Sequence, residues 1–385
     1  MSARELRELV EGDREQAQAL GTLAFGGDPA APLAPAPAGS RAWGVFEGDR
    51  LLAKAVVRSY TQWWGGRPVP MGGVAGVAVH PDARGQGTAS RLVRALIGHL
   101  RDAGQPVSAL FPTAPGIYRP LGWEVVGSLD ETLLQTSALR SVGGPVGAEV
   151  RTADPGDVPV LTQLWRAYGE ASSGLLTRDG PSFPRGAESV LAHDVVTLAE
   201  EADRPAGYLA YDRGRGYGAD AELYVWELVA GTAVAASALL RAAGSWDAVA
   251  GAVRWRGPVD ELRLLLGAVV PPAVTSRPYM LRVVDAPGAV AARGYDPAVR
   301  AQAEFTLVDP EVPGHEGPWR LTVEEGSGVL ERTAPGPPRL HVRGLALLYG
   351  GAADSGVLRR AGLLDGPVPG LDAFAGAPPR LLDYF

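Results

Sequence analysis

Apolar residues recur along this chain in two rhythms, and the points where one gives way to the other mark its elements. Leu92, Val93, Leu96, Ile97 and Leu100 fall at helical spacing while Arg91, Arg94 and Arg101 stay off the stripe, which predicts an amphipathic helix. Just before it, Val77 and Val79 alternate as in a strand, and a glycine-punctuated turn joins the two. The same reading over the first 140 residues predicts a strand at 5–10, a helix from a cap at Asp13 to about Leu23, and a hairpin of 42–47 and 51–63 around Gly48-Asp49. Further strands follow at 69–79 and 107–111, then a short turn carrying Tyr118 and an extended segment at 123–136. Residues 26–40, rich in Ala, Pro and Gly, predict a stiff, non-helical loop.

After a linker at Gly143-Gly144-Pro145-Val146-Gly147 the pattern restarts. Strands are predicted at 149–152, 206–211, 222–228 and 252–255, with helices from a cap at Asp157 and over 232–241. From about Arg277 the character changes. A strand at 280–284, a short helix at 286–293 ended by Gly294, a strand at 304–308, a hairpin around Gly326-Ser327-Gly328 and Leu-rich helical material follow. The expected fold is thus α/β (α+β), with similar mixed, mostly antiparallel units in 1–142 and 148–275 and a third unit in 277–385.

Length and composition narrow the function. At 385 residues, 46% of them hydrophobic, the chain has material for two or three cores. It has no cysteine, which excludes disulfides, thiolate metal sites and a cysteine nucleophile, and its five scattered histidines offer no ligand-spaced pair, so no metal is expected. A net charge of −7 without a basic cluster argues against nucleic acid and mildly favours a cationic substrate. Only Lys54 is lysine among 36 basic residues, which reads as the coding bias of a GC-rich genome. With no signal-like apolar run near residue 1 and no bilayer-length stretch, the expectation is a cytoplasmic protein without membrane contact.

Chemistry concentrates at the turn between Val79 and the 92–100 stripe. Gly85 and Gly87 let successive amides at the helix start point outward together, a natural cradle for phosphate oxygens because unpaired N–H groups and the helix dipole both favour an anion. The formally similar Arg213-Gly214-Arg215-Gly216-Tyr217-Gly218 precedes a strand rather than a helix and is read as a hairpin turn, so the second unit is expected to bind no such ligand. Tyr118, after the short turn Pro112-Thr113-Ala114-Pro115-Gly116-Ile117, is the best proton donor, since a phenol with a pKa of about 10 stays protonated at neutral pH. His80, before Pro81, reads as a surface loop residue.

Arg84, Gly87 and Ala89 match the Arg/Gln-x-x-Gly-x-Gly/Ala pattern, so the turn resembles the loop with which GNAT acetyltransferases grip the pyrophosphate of acetyl-CoA. The run Gly116-Ile117-Tyr118-Arg119-Pro120-Leu121-Gly122-Trp123, the two α/β units and the aromatic last residue together resemble the enhanced intracellular survival (Eis) acetyltransferases. Ala292-Arg293-Gly294-Tyr295 and Leu347-Leu348-Tyr349-Gly350-Gly351 resemble that family's sterol-carrier-protein-like third domain. The resemblance implies tandem GNAT-like domains, acetyl-CoA as acyl donor bound in the first unit only, and a homo-oligomer, a hexamer. It implies CoA contacts at Val77, Ala78, Val79, Arg84, Gly85, Gln86, Gly87, Thr88, Ala89, Ser90, Thr113 and Ala114. It assigns general acid to Tyr118 and general base to the α-carboxylate of Phe385.

The expected acceptor is a primary amine on a small polycationic or amino-bearing molecule (aminoglycoside, polyamine or lysine-like), met by Asp28, Trp43, Trp63 and Asp383. The penultimate residue is Tyr384, where that family has an acid. The competing readings are a non-catalytic binding protein that keeps the CoA fold as scaffold, and transfer of a larger acyl group in biosynthesis.

Overall fold

Strand alternation builds one long sheet and one short one in the computed structural model, which describes residues 4–267, 275–334, 336 and 338–385. The first unit runs β1 (Arg4–Glu8), α1 (Arg14–Phe25), β2 (Ser40–Glu47), β3 (Arg50–Trp64), β4 (Arg67–Val79), α2 (Thr88–Asp102), β5 (Val107–Leu110), the single turn α3 (Pro115–Tyr118), β6 (Glu124–Gln135) and α4 (Thr136–Arg140). The second runs β7 (Ala148–Thr152), α5 (Val158–Glu170), β8 (Val195–Glu201), β9 (Arg204–Arg213), β10 (Gly218–Ala230), α6 (Ala233–Gly244), β11 (Ala250–Arg256), α7 (Val259–Leu266) and β12 (Thr275–Val283). The third holds α8 (Ala286–Ala292), β13 (Ala301–Val308), β14 (Gly317–Glu324), β15 (Ser327–Arg332), β16 (Arg339–His341), α9 (Val342–Tyr349) and α10 (Ser355–Arg360). No helix among the described residues is long and apolar enough to cross a membrane.

The two similar units do not stand apart. Their strands form one twelve-stranded sheet in the order β1-β2-β3-β4-β5-β12-β6-β11-β10-β9-β8-β7. Each half has one parallel pair, β4 with β5 and β10 with β11, joined by a crossover helix, α2 or α6. β12, late in the chain, lies between β5 and β6, so the second unit's last strand completes the first unit's sheet. The 280–284 strand assigned by sequence to the third unit therefore belongs to the shared sheet, because its apolar residues find partners on β5. The expected 275/277 boundary adjoins residues 268–274, which lie outside the described residues, as do residues 1–3.

A local device repeats in both halves. Asp13 pairs with Arg7 and accepts from the Val10 amide, and Asp157 pairs with Arg151 and accepts from the Asp154 amide. These aspartates were expected to cap helices with their side chains; the arginine six residues earlier claims them instead. Arg151 holds the Asp157 carboxyl down to about 2. The third unit's small sheet, β15-β14-β13-β16, packs with α8 and α9 around Phe305, Leu307, Leu345 and Leu348. Its hairpin turns at Glu325-Gly326, one residue before the glycine-serine pair, since Ser327 already pairs with Glu324.

One buried ion pair ties the third unit to the long sheet. Arg282 of β12 donates to Asp309 at 2.9 Å, both fully buried, and His315 Nδ1 lies 2.8 Å from the same carboxylate. Burial pushes Asp309 up, yet the His315 and Arg282 contacts win and hold it below the ordinary carboxylate value. Arg282→Met removes the arginine from that carboxylate, leaving it to His315 and the Glu311 amide, and is expected to cost up to roughly 3 kcal/mol, read by urea unfolding. Because the folded value is the lower one, this stabilisation is fully present above about pH 4 and is lost as the pH falls below that through the depressed folded value.

Candidate active site

The site begins where β4 and β5 part. Their parallel pairing covers only Met71 with Val107, Gly72 with Ser108 and Gly73 with Ala109. Beyond Gly73, β4 bulges against β3 near Gly76, whose φ is +56°, and continues to Val79 without β5 beside it. Val77 and Val79 are half-buried and Ala78 is buried, so their backbone edge faces the opening. This leaves strand amides and carbonyls available to an extended ligand.

α2 starts at the wide end of that opening. Gly85 and Gly87 are left-handed, at φ +72° and +73°, and a Cβ on either would meet nothing within 4 Å. No side chain caps the first turn of α2, which leaves its amides to an outside acceptor. Arg84, Gln86, Gly85 and Gly87 are exposed, Ala89 and Ser90 half-buried, and Thr88 is tied down through its hydroxyl to the Ala83 carbonyl. Thr113 and Ala114 are exposed just past β5. An open, uncapped helix start with two αL glycines fits a pyrophosphate. Gly87→Val forces a branched side chain into αL geometry, costing about 1–3 kcal/mol. Acetyl-CoA affinity measured by calorimetry is expected to fall at least about tenfold.

The corresponding helix of the second unit is closed. Thr232 caps α6 with its own hydroxyl, accepting from the Ala235 amide at 3.0 Å, and the Arg213–Gly218 run is the β9–β10 turn, as expected from sequence.

Tyr118 ends α3 on the α2 face of the sheet, 6% exposed, in the cluster that Val77, Val79 and Ile117 pack against. Its hydroxyl bonds no other described residue, and burial pushes its pKa up to about 12. Phe385 reaches the parting from the opposite face. Its ring sits 4.9 Å from Tyr60, 5.5 Å from Phe111 and 6.4 Å from Tyr279. It also presses on Gly73, where a Cβ would come within 2.8 Å of it.

The last six residues are held by the second unit. The Arg380 amide donates to Ser173 O at 2.7 Å, the Arg380 side chain meets Tyr168 and Glu261, and Leu381 and Leu382 are buried. Asp383 accepts from Arg178 at 3.0 Å, and Arg178 stacks 3.6 Å over Trp165 while its other nitrogens bind Glu227, at 2.6 Å for the shorter contact. Burial drives the Asp383 carboxyl up despite Arg178. Asp383 was singled out in the sequence as an acceptor contact, but its pairing with Arg178 carried no sequence signal. Arg178, Glu227 and Asp383 lie far apart in the chain, and only the apolar ending of residues 381–385 hinted at docking.

The other expected acceptor contacts fall in different places. Asp28 is exposed and accepts from the Ala30 amide, an Asx turn before Pro29. Trp43 is 3% exposed on the α2 face, stacked 4.9 Å from His99, the opposite side of the sheet from Phe385. Trp63 packs on Gly169 of α5 and lines a cavity with Arg178 and Phe183. Of the four, Asp383 alone lies beside Phe385 in sequence and lines a cavity with Tyr384. His80 pairs with Asp82 at 2.6 Å, outside the opening.

A parted parallel pair, a glycine-opened crossover helix and an added sterol-carrier-like unit define an acyl-CoA-dependent acyltransferase. Residues 5–126 and 174–283 match acetyltransferase (GNAT) domain families and residues 286–380 a sterol carrier protein domain family. A GCN5-related N-acetyltransferase from Kribbella flavida is 34% identical with a TM-score of 0.85, covering 100% of this chain and 99% of that one. The N-acetyltransferase Eis of Mycobacterium tuberculosis is 30% identical over 252 residues, 62% of this chain and 61% of Eis. Eis1 from Mycobacterium abscessus, 22% identical with a TM-score of 0.75 over 99% of this chain and 100% of its own, shares the fold. The chain belongs to the GCN5-related N-acetyltransferases, and the Eis enzymes are its homologues, as the sequence suggested.

Proposed function

We propose that this enzyme moves the acetyl group of acetyl-CoA to a primary amine of a small acceptor, with Tyr118 as general acid and the Phe385 α-carboxylate as general base. The observation that carries the reading is the parting of β4 from β5, with an open helix start at one end and Phe385 seated against Gly73 at the other. Acetyl-CoA, when bound, supplies the thioester carbonyl that the amine nitrogen attacks. The amides of residues 77–79 donate to the carbonyl oxygen as it gains charge. The Phe385 carboxylate takes the amine's proton, directly or through a water, as the N–C bond forms. Tyr118 gives its proton to the sulfur as the C–S bond breaks, leaving CoA as a thiol.

An amine of pKa about 10 is almost wholly protonated at neutral pH, so a base held at the cleft matters. The Eis resemblance supports an amino-bearing acceptor, and further supports a cytoplasmic homo-hexamer. Thiol release from acetyl-CoA with polyamines, aminoglycosides and amino acids tests the reading. Release above the amine-free rate with at least one of them is expected, and silence throughout despite CoA binding contradicts it.

A further inference from the structure

A cavity of about 330 Å³ opens beside the C-terminal residues, lined among others by Arg178, Phe183, Trp226, Glu227, Arg256 and Asp383. It adjoins the proposed active site through Phe183, whose ring lies 5.4 Å from Tyr60, the ring that itself contacts Phe385. Its charges are unevenly satisfied. Glu227 is consumed by Arg178 and the Tyr208 hydroxyl, and His193 at the rim pairs with Asp212. Asp383 gives one oxygen to Arg178, while its Oδ2 is buried with no donor.

Arg256 is the reverse case. It projects from the end of β11 over Trp226, 5.2 Å from the ring centroid, and among the described residues no carboxylate reaches it within ion-pair distance. Its Nε is buried without an acceptor. Glu131, its register partner on β6, already serves Arg277 at 2.9 Å. On the Tyr60 side, Arg58 likewise has a buried Nε without a partner among the described residues, and its Nη1 donates to the Tyr60 hydroxyl at 3.3 Å. Half-burial leaves the Arg256 guanidinium short of water and aimed into a ligand-sized space. A planar fork of donors over an aromatic face is suited to a carboxylate.

We propose that the acceptor is an amine that also carries a carboxylate, which pairs with Arg256 while the amino end lies toward Asp383 and Phe385. This rests on the acetyl-transfer reading and narrows its acceptor class. A polycation would meet an unpaired arginine, and of the two cavity carboxylates Glu227 is consumed while Asp383 has a single free oxygen, so a zwitterion with one amino group matches the site better.

The test pairs ω-amino acids from β-alanine to 6-aminohexanoate with their amides, against the full-length enzyme and its Arg256→Met and Arg256→Lys variants. Calorimetric affinity and thiol release from acetyl-CoA are read in parallel, with thermal unfolding as a check on folding. At the best chain length the acid is expected to bind roughly ten- to hundredfold tighter than its amide. Arg256→Met should erase that ratio without moving the amide's affinity, and Arg256→Lys should keep part of it. An amide that binds as well as its acid in the native enzyme, or an unchanged ratio in Arg256→Met, overturns the proposal. Selective binding of the acid without thiol release would uphold the anion site and contradict acetyl transfer, so the two readings fail separately.

Discussion

Adding two residues after Phe385 is expected to cut turnover about a hundredfold or more while acetyl-CoA affinity stays within about twofold, since a positioned base contributes roughly 10²–10⁴. The extension converts the terminal carboxylate into a peptide carbonyl and places a new carboxylate several ångströms on. Nothing at the α2 start changes, because the Phe385 ring enters from the other face of the sheet. The anchors upstream remain: Arg380 on Ser173 O and Asp383 on Arg178. A chain extended in this way should melt with the native one and differ in kcat, so steady-state rates with matched calorimetry decide the point. Full activity in the extended chain would remove the base from the mechanism.

Tyr118→Phe is expected to lower kcat by about two orders of magnitude with little change in acetyl-CoA affinity. The hydroxyl is the one atom removed, and it bonds no described residue, so the core around Trp123 and Leu121 should keep its packing. The sign of the pH effect follows from burial. With its value pushed up to about 12, the phenol remains a proton donor throughout ordinary assay conditions. The loss should therefore be uniform between about pH 6 and about pH 10, without moving either limb of the profile. A lowered alkaline limb in the native enzyme that vanishes in Tyr118→Phe would contradict a donor held in its neutral form.

Much of this was legible because the physics is local. The α2 stripe had to bury its apolar face, and Leu92, Val93, Leu96, Ile97 and Leu100 are each 2% exposed or less. Gly85 and Gly87 marked the glycine-opened helix start, and the structure adds that both are left-handed there. Partnering across the sheet was not legible. β12 has the same apolar rhythm wherever it pairs, and its insertion between β5 and β6 depends on contacts more than 140 residues apart. Strand β8 escaped notice because its apolar run, Val195 to Ala199, ends in acids and offers little alternation. The acceptor side was hidden for the same reason. Trp43 is claimed by packing against His99, whereas Trp63 packs on Gly169 and still lines a cavity with Arg178 and Phe183. Arg256, by contrast, looked like one arginine among many, and only its lack of a partner in three dimensions sets it apart.

The measurement closest to the central claim is the stoichiometry of acetyl-CoA binding to the full chain by isothermal titration. One site per chain, abolished or strongly weakened by Gly87→Val and untouched by Thr232→Val at the capped helix of the second unit, is the predicted result. Two equivalent sites, or one that survives Gly87→Val and disappears with Thr232→Val, would contradict the assignment of the coenzyme to the start of α2.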